Sequence, residues 1–230
     1  MDASSVTFEG MRLLVPPEVY EPAEDSFLLA RAAKTHAFGR VLDMGCGSGI
    51  VGLSALGNPA VSHVTFADKN LEALEAARNN LERLGHQGFE RHDASVEFVQ
   101  TDLFKELHDD VHRPDRFDVI CFNPPYLPTD PAHVEGSETI EGPLNAAFDG
   151  GLSGRDVLDR FLSQFSSHLN AEGILLLLNS SRSGEYGKGH EETLEMLEKH
   201  GFIAKPLEGQ AFFFEDLKVF KATRAIIKRG

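Results

Sequence analysis

The sequence predicts an α/β fold with a mostly parallel sheet. Short apolar runs that suit strands alternate with segments that suit helices, from residue 41 to near the C-terminus. Glycines, acids or an asparagine directly follow four of these runs, at the position where open α/β sheets bind ligands. The run Gly173–Leu178 is apolar throughout, so we expect it to be a central strand that is buried on both faces.

The composition is that of a globular domain rather than a membrane or disulfide-rich protein. The chain has 230 residues, of which 41% are hydrophobic and 25% are charged. Its longest apolar run, Ile174–Leu178, is too short to cross a bilayer, and no signal peptide opens the chain. Cys46 and Cys121 suit neither a disulfide framework nor a metal site. We therefore expect a protein without bound metal or membrane attachment, in the cytoplasm or, in a eukaryote, the nucleus.

The charge argues against one class of partner. There are 22 basic and 36 acidic residues, which gives a net charge of -14. Tight nonspecific binding to nucleic acid needs a basic surface. Stable binding to nucleic acid is therefore not expected.

The N-terminal residues 1–19 show little periodicity, and we interpret them as an extension that orders on a single domain formed by the remainder, 20–230. A helix is predicted from the Tyr20–Phe27 octet to about residue 35. Pro22 and the acids at positions 24 and 25 all suit the N-terminus of a helix.

A glycine-rich loop follows the predicted strand Val41–Met44 and precedes a helix that begins at Ile50. Glycines at that position let a ligand approach the backbone closely at the helix N-terminus. The stretch Gly47–Gly52 fits the dinucleotide fingerprint G-x-G-x-x-G. The alternative starts earlier, because Asp43 and the glycines at 45, 47 and 49 are similar to the pattern of folds that bind S-adenosylmethionine. Asp43 can face an ammonium group, which a pyrophosphate lacks.

Two further acids stand just past predicted strands. Asp68 follows the strand Val61–Ala67 and has the spacing of a carboxylate that binds ribose hydroxyls. Asp102 follows a strand that carries Val96 and Phe98, where it can accept from an adenine amine. Each acid alone also fits an ordinary turn, but three acids in equivalent positions favour a nucleotide site.

The strand Phe117–Phe122 leads into the corner Asn123-Pro124-Pro125-Tyr126. The prolines cannot donate backbone hydrogen bonds, so they end the strand and stiffen the turn. The corner presents an amide side chain, a carbonyl and an aromatic ring. These groups suit a planar amine or amide that needs two acceptors and a stacking surface, although a strand followed by a proline turn has the same pattern.

The remaining elements are predicted from apolar periodicity. The segment Leu127–Gly154 is acidic and contains no Lys or Arg, so it is either a solvated loop or a lid that meets a basic substrate. Ser153–Asp156 resembles a capping box before a helix. The other predicted elements are a helix over residues 71–84 capped by Gly85, a helix Glu191–Lys199, and strands Phe202–Pro206 and Phe212–Arg224, the second either continuous or broken near Asp216.

The order of these motifs resembles the Rossmann-like class I methyltransferase fold. That resemblance implies a single domain with a mostly parallel seven-stranded sheet, an antiparallel C-terminal strand and helices on both faces. The Asn123–Tyr126 corner resembles the catalytic motif of amino-methyltransferases. With the Tyr20–Phe27 octet and the stretch Ala147–Asp156, it is similar to the eukaryotic and archaeal branch of the HemK-like release-factor glutamine methyltransferases.

The resemblance implies a role for each motif. The cofactor would be S-adenosylmethionine, with S-adenosylhomocysteine as product, and the expected cofactor-binding residues are Ser26, Asp43, Gly45, Gly47, Gly49, Asp68, Asp102 and Asn123. The expected catalytic residues are Asn123, Pro124 and Tyr126, and Pro125 joins them in binding the substrate. No residue resembles a strong general base, so catalysis is expected to rest on positioning and electrostatics.

The substrate implied by the resemblance is the glutamine of the Gly-Gly-Gln motif in a class I release factor. A small zinc-binding activator protein is the implied partner, docked on the edge strand that carries Val96 and Phe98. Two alternatives are an adenine or cytosine amino-methyltransferase acting on DNA or RNA, and a noncatalytic scaffold that kept the fold. The acidic charge argues against the first alternative, and the intact motifs argue against the second.

Overall fold

The structure is a computed structural model that describes residues 3–89, 92–107, 116–128, 150–184 and 188–225. Seven of its strands form the main sheet and two form an N-terminal hairpin. The strands are β1 Ser4–Phe8, β2 Met11–Val15, β3 Gly39–Met44, β4 Val61–Asp68, β5 Ser95–Gln100, β6 Phe117–Phe122, β7 Leu169–Ser180, β8 Phe202–Ala211 and β9 Asp216–Arg224.

Helices cover both faces of the sheet. They are α1 Glu24–His36, α2 Ile50–Leu56, α3 Leu71–His86, α4 Asp156–Leu162, α5 Phe165–His168 and α6 Gly189–Lys199. The first three pack in one apolar cluster, and the last three pack in another on the opposite face. Among the residues described, no helix is both long and apolar enough to cross a membrane.

The sheet order is β5-β4-β3-β6-β7-β9-β8, and the first five strands run parallel. β9 runs antiparallel to both β7 and β8. Successive residues of β7 alternate between the two clusters, with Leu176 in one and Leu175 in the other. This burial on both faces explains why its sequence is a continuous apolar run. The predicted fold class is confirmed, and the parallel strands all place their carboxyl ends at one edge.

The N-terminal residues, interpreted from the sequence as an extension that orders on the domain, form an antiparallel hairpin, β1–β2. The hairpin packs on α3, and Asn80 of that helix is fully buried. The Asn80 side chain accepts from the Leu14 N–H at 2.8 Å and donates to the carbonyls of Leu14 at 2.9 Å and Ser48 at 3.0 Å. A single amide therefore ties the hairpin to the glycine-rich loop.

Several predicted boundaries were wrong. The helix α3 continues through Gly85 to His86, and α1 begins at Glu24 rather than Tyr20. The predicted capping box does not form, because Arg155 is the N-cap of α4 and its side chain makes no capping bond. Residues 212–215 form the turn between β8 and β9, so the predicted strand Phe212–Arg224 begins only at Asp216, the position where a break was an alternative.

The acidic segment Leu127–Gly154 lies mostly outside the described residues, which stop at 128 and resume at 150. Its two described ends meet, since the Gly150 N–H donates to the Leu127 carbonyl at 2.9 Å. Both ends of the segment therefore stand beside Tyr126, at the carboxyl edge of the sheet.

Candidate active site

A cavity of about 940 Å³ opens at the carboxyl ends of β3, β4, β5 and β6. The polar loops that follow these strands meet there, as parallel topology requires. The predicted site residues that line the cavity are Ser26, Asp43, Gly45, Gly47, Asp68, Asp102, Asn123, Pro124, Pro125 and Tyr126. Gly49 is the one predicted site residue that does not line it.

The glycine-rich loop is a left-handed turn between β3 and α2. Gly45, Gly47 and Gly49 have φ angles of +64°, +53° and +88°, which residues with a side chain adopt at a cost. A Cβ atom on Gly49 would lie 2.9 Å from the Cβ of Ala77. Gly49 therefore starts α2 and lets the loop pack on α3, while the other two glycines border the cavity.

Asp43 is buried at the end of β3 and accepts the Gly52 N–H of α2 at 2.8 Å. Burial is the largest cause that raises the pKa of Asp43, the hydrogen bond from Gly52 partly offsets it, and the nearby charge of Asp68 adds to the rise; together they bring the pKa to about 7. Neutral and ionised Asp43 are therefore both present near pH 7. A cation placed beside it would favour the ionised form.

Asp68 and Asp102 also line the cavity. The Asp68 carboxylate accepts the backbone N–H groups of Gly47 at 3.0 Å and Asn70 at 2.8 Å, and burial raises its pKa. Asp102 pairs with Arg160 at 2.9 Å. A carboxylate has about four acceptor directions, so each acid retains the capacity to bind a ligand N–H or O–H.

The corner after β6 contains an amide whose orientation is set by its partner. Asn123 Nδ2 donates to Asp25 Oδ2 at 2.9 Å. An ionised carboxylate only accepts, so the NH₂ end of Asn123 must face Asp25 and the oxygen must face away. Asn123 Oδ1 is buried, and no donor among the described residues reaches it. Within the part of the chain that the structure describes, the site therefore presents an acceptor without a donor.

Asp25 stands at the centre of this arrangement, with a relative exposure of 3%. Tyr20 Oη donates to both of its oxygens at 3.0 Å. The Ser26 N–H donates to Oδ1 at 2.6 Å, and Ser26 Oγ donates to the same oxygen at 3.2 Å. With Asn123, these donors satisfy most of the acceptor capacity of the carboxylate, so Asp25 orients its neighbours.

Two tyrosines flank this carboxylate. Burial and the charge of Asp25 raise the pKa of both Tyr20 and Tyr126 far above the ordinary value. Both therefore remain neutral donors at physiological pH. Tyr126 Oη lies 3.5 Å from Asp25 Oδ2, which holds its ring beside Asn123.

Comparisons with known proteins agree with this geometry. Residues 22–138 match the family model described as methyltransferase small domain. A protein of Methanocaldococcus jannaschii named as a protein N5-glutamine methyltransferase is 34% identical, over 95% of this chain and 98% of its own length. This chain belongs to the HemK-like glutamine methyltransferase family.

Two further relatives of this methyltransferase support its assignment to the family. The human methyltransferase HEMK2 is 33% identical, over 90% of this chain and 91% of its own length. The solved Mtq2–Trm112 complex of E. cuniculi, described as responsible for methylation of the termination factor eRF1, contains a chain that is 25% identical. That match has a TM-score of 0.62 and covers 90% of this chain and 99% of the other.

Two residues of the site, Asp25 and Tyr20, and one structural residue, Arg155, were not predicted from the sequence of the methyltransferase. From the sequence, Asp25 was predicted only to initiate a helix, and Tyr20 had no predicted role. The sequence did contain a signal for this pair. Tyr20 and Asp25 lie in the same octet, and helix initiation alone does not explain a tyrosine there. Arg155 is also buried, and it binds the Gly189 carbonyl, Thr193 and Asp159. It therefore joins α4 to α6 and does not contact the cavity.

Proposed function

We propose that this chain is an S-adenosylmethionine-dependent N-methyltransferase that methylates the glutamine side chain of the Gly-Gly-Gln motif in a class I release factor. The observation that carries the proposal is the buried Asn123 Oδ1, which no donor among the described residues satisfies. A buried acceptor without a partner costs about 1–3 kcal/mol, so a ligand N–H is expected there.

A primary amide fits this acceptor. Its NH₂ group is planar and carries two donors. Asn123 and Pro124 both line the cavity, and in this proposal Asn123 Oδ1 and the Pro124 carbonyl each accept one N–H. Tyr126 supplies an aromatic surface on which the amide plane can stack. A lysine ammonium has three donors in a nonplanar array and fits the same corner less well.

The other side of the cavity fits S-adenosylmethionine. Asp43 suits the amino group of the methionine part, Asp68 suits the ribose hydroxyls, and Asp102 suits the adenine amine. Gly45 and Gly47 leave room for close approach, since a Cβ on Gly47 would meet nothing within 4 Å. S-adenosylhomocysteine, the product, has the same polar groups and is expected to bind the same residues.

When bound, S-adenosylmethionine supplies a methyl group on positively charged sulfur. An amide nitrogen is a weak nucleophile, because its lone pair is delocalised into the carbonyl. Asn123 and Pro124 bind the two N–H groups and orient the nitrogen, which lowers the entropic part of the barrier. As positive charge grows on nitrogen, the same two oxygens stabilise it. One proton is then released to water, since donors already occupy Asp25.

The substrate class rests on the relatives and on charge. Their names point to protein glutamine residues and to a termination factor. A net charge of -14 disfavours approach of a nucleic-acid backbone and tolerates a basic protein surface. A release-factor substrate would place the enzyme in the cytoplasm, where translation terminates.

Mass spectrometry of a release factor after incubation with the chain and S-adenosylmethionine tests this proposal. We expect one methyl group on the Gly-Gly-Gln glutamine, and none when that glutamine is replaced by asparagine. Parallel reactions contain DNA and RNA in place of protein. Methyl incorporation into nucleic acid, with none into the release factor, would sink the proposal and favour the nucleic-acid alternative.

We also propose that a small zinc-binding activator protein docks on β5. This strand is an edge of the main sheet, since it pairs with β4 alone among the described strands. Phe98 already stacks on Phe66 at 4.9 Å and lies under Arg78, so the partner is expected to add at the strand edge. The E. cuniculi relative supports this proposal, because it was solved in a complex of two proteins, Mtq2 and Trm112.

Co-expression with a candidate activator tests this partner. We expect higher soluble yield and higher activity of the chain, and a loss of the partner during purification when Val96 is replaced by lysine. Ile203→Lys is the matched control, because Ile203 is exposed on β8 at the opposite edge of the sheet. Equal retention of the partner by both variants would exclude β5 as the docking edge.

A further inference from the structure

The turn between β8 and β9 has an unusual surface, which we call the aromatic tip: residues Phe212, Phe213 and Phe214. Phe213 and Phe214 have relative exposures of 91% and 84%, and their rings meet edge to face at a centroid distance of 4.5 Å. Adjacent exposed aromatic side chains of this size indicate a binding surface, since water contact is unfavourable for both rings.

The aromatic tip is held in place by its own turn. The Phe212 N–H donates to the Glu215 carbonyl at 2.6 Å, which closes the turn. The Glu215 carboxylate accepts from Ser180 Oγ at 2.6 Å, and the Asp216 carbonyl accepts from the Ser181 N–H at 2.9 Å. The tip is therefore anchored to the carboxyl end of β7.

The tip continues directly from the active-site cavity. Glu215, the next residue after Phe214, lines that cavity. The pKa of Tyr126 is raised mainly by burial, and the charges of Asp25 and Glu215 raise it further, which places Glu215 near the corner that binds the amide. The surface and the site therefore share one wall.

Strand register shows how far the tip projects. Phe122, the last residue before Asn123, is level with Leu177, which is level with Phe220. Asp216 lies four residues beyond Phe220, so the turn stands about 13 Å past the end of β6 along the strand direction. The tip is thus a raised rim beside the cavity mouth.

A second apolar residue lies on the neighbouring segment. Leu152 has a relative exposure of 79%. The carbonyl of its neighbour Ser153 accepts the Gly184 N–H at 2.8 Å. Gly184 belongs to the chain segment that follows Ser181. Leu152 and the aromatic tip therefore belong to two segments that are both joined to the end of β7.

We infer that the aromatic tip docks on the protein substrate, against apolar side chains next to the loop that carries the glutamine; this inference rests on the proposed function. One glutamine side chain fills only the inner part of a macromolecular interface, so further contact area is needed beside the mouth. The activator proposed above would occupy β5, which is the opposite edge of the sheet. The net charge of -14 disfavours an anionic membrane as the occupant.

A double variant, Phe213→Ser with Phe214→Ser, tests this inference against the control Ile203→Ser, which removes an exposed apolar side chain from β8. Steady-state methylation is measured on the intact release factor and on a short peptide that carries the Gly-Gly-Gln sequence. We expect the double variant to raise KM for the intact factor by about tenfold to a hundredfold. Its kcat, its activity on the peptide and its affinity for S-adenosylhomocysteine should match the parent.

The alternatives give different results. If the parent chain methylates the factor and the double variant has an unchanged KM, the aromatic tip does not dock substrate, although the proposed function stands. If the parent chain methylates no release factor, the proposed function and this inference both fail. Loss of a dimer by light scattering, or loss of activator binding, with unchanged KM would assign the tip to that other partner and overturn the inference.

Discussion

Replacing Asn123 with alanine is expected to lower kcat for methyl transfer by about a hundredfold to a thousandfold. This is the loss expected when one preorganised group that stabilises developing charge is removed. The reason is that Asn123 Oδ1 is a buried acceptor that no donor among the described residues satisfies, and in the proposed function it binds the substrate amide. Affinity for S-adenosylhomocysteine, measured by calorimetry, should stay within about tenfold of the parent, because the proposed function assigns most of the cofactor contacts to other residues.

Asn170→Ala is the matched control for this variant. Asn170 also donates from its amide to a half-buried carboxylate, Asp118, at 2.7 Å. That pair lies near the opposite, amino-terminal end of β6, away from the cavity. Asn170→Ala should lower thermal stability and leave kcat unchanged. Near-normal turnover by Asn123→Ala would show that the corner is only a turn.

Replacing Asp25 with asparagine is expected to lower kcat by about tenfold to a hundredfold, a smaller loss because the Asn123 amide remains. An amide at position 25 cannot accept from every donor that now surrounds the carboxylate. Asn123 then loses the constraint on its orientation, and its NH₂ group can turn into the cavity where an acceptor is needed. The free energy of unfolding should fall by about 1–3 kcal/mol, measured by urea denaturation.

Asp118→Asn is the control that distinguishes the effect of Asp25 on the orientation of Asn123 from its effect on stability. Asp118 likewise accepts from an amide and from a backbone N–H, that of Arg40 at 2.8 Å. The Asp118→Asn variant should show a similar fall in the free energy of unfolding and an unchanged kcat. In a double-mutant cycle, the effects of Asp25→Asn and Asn123→Ala on kcat should not add, because both act through one amide. Additive losses would show that Asp25 acts independently of Asn123.

Much of the fold was predictable because its signals are local. Apolar runs mark the strands, and the acids at the ends of β3 and β4 and just after β5 meet at one edge because parallel strands share a direction. The same logic predicted that Asp43, Asp68 and Asn123 would lie together, and the cavity contains all three. Boundaries were less predictable, as at Gly85, a favourable C-cap residue that α3 passes before it ends at His86.

The sequence by itself determined the alternation of strands and helices, the left-handed glycine loop and the rigid corner at Asn123, since each depends on residues adjacent in the chain. The tertiary structure alone decided what orients that corner. Asp25 and Asn123 are 98 positions apart, and Asn80 is 66 positions from Leu14. Such pairs have no sequence periodicity, because their geometry exists only after the sheet has brought distant segments together and removed water from between them.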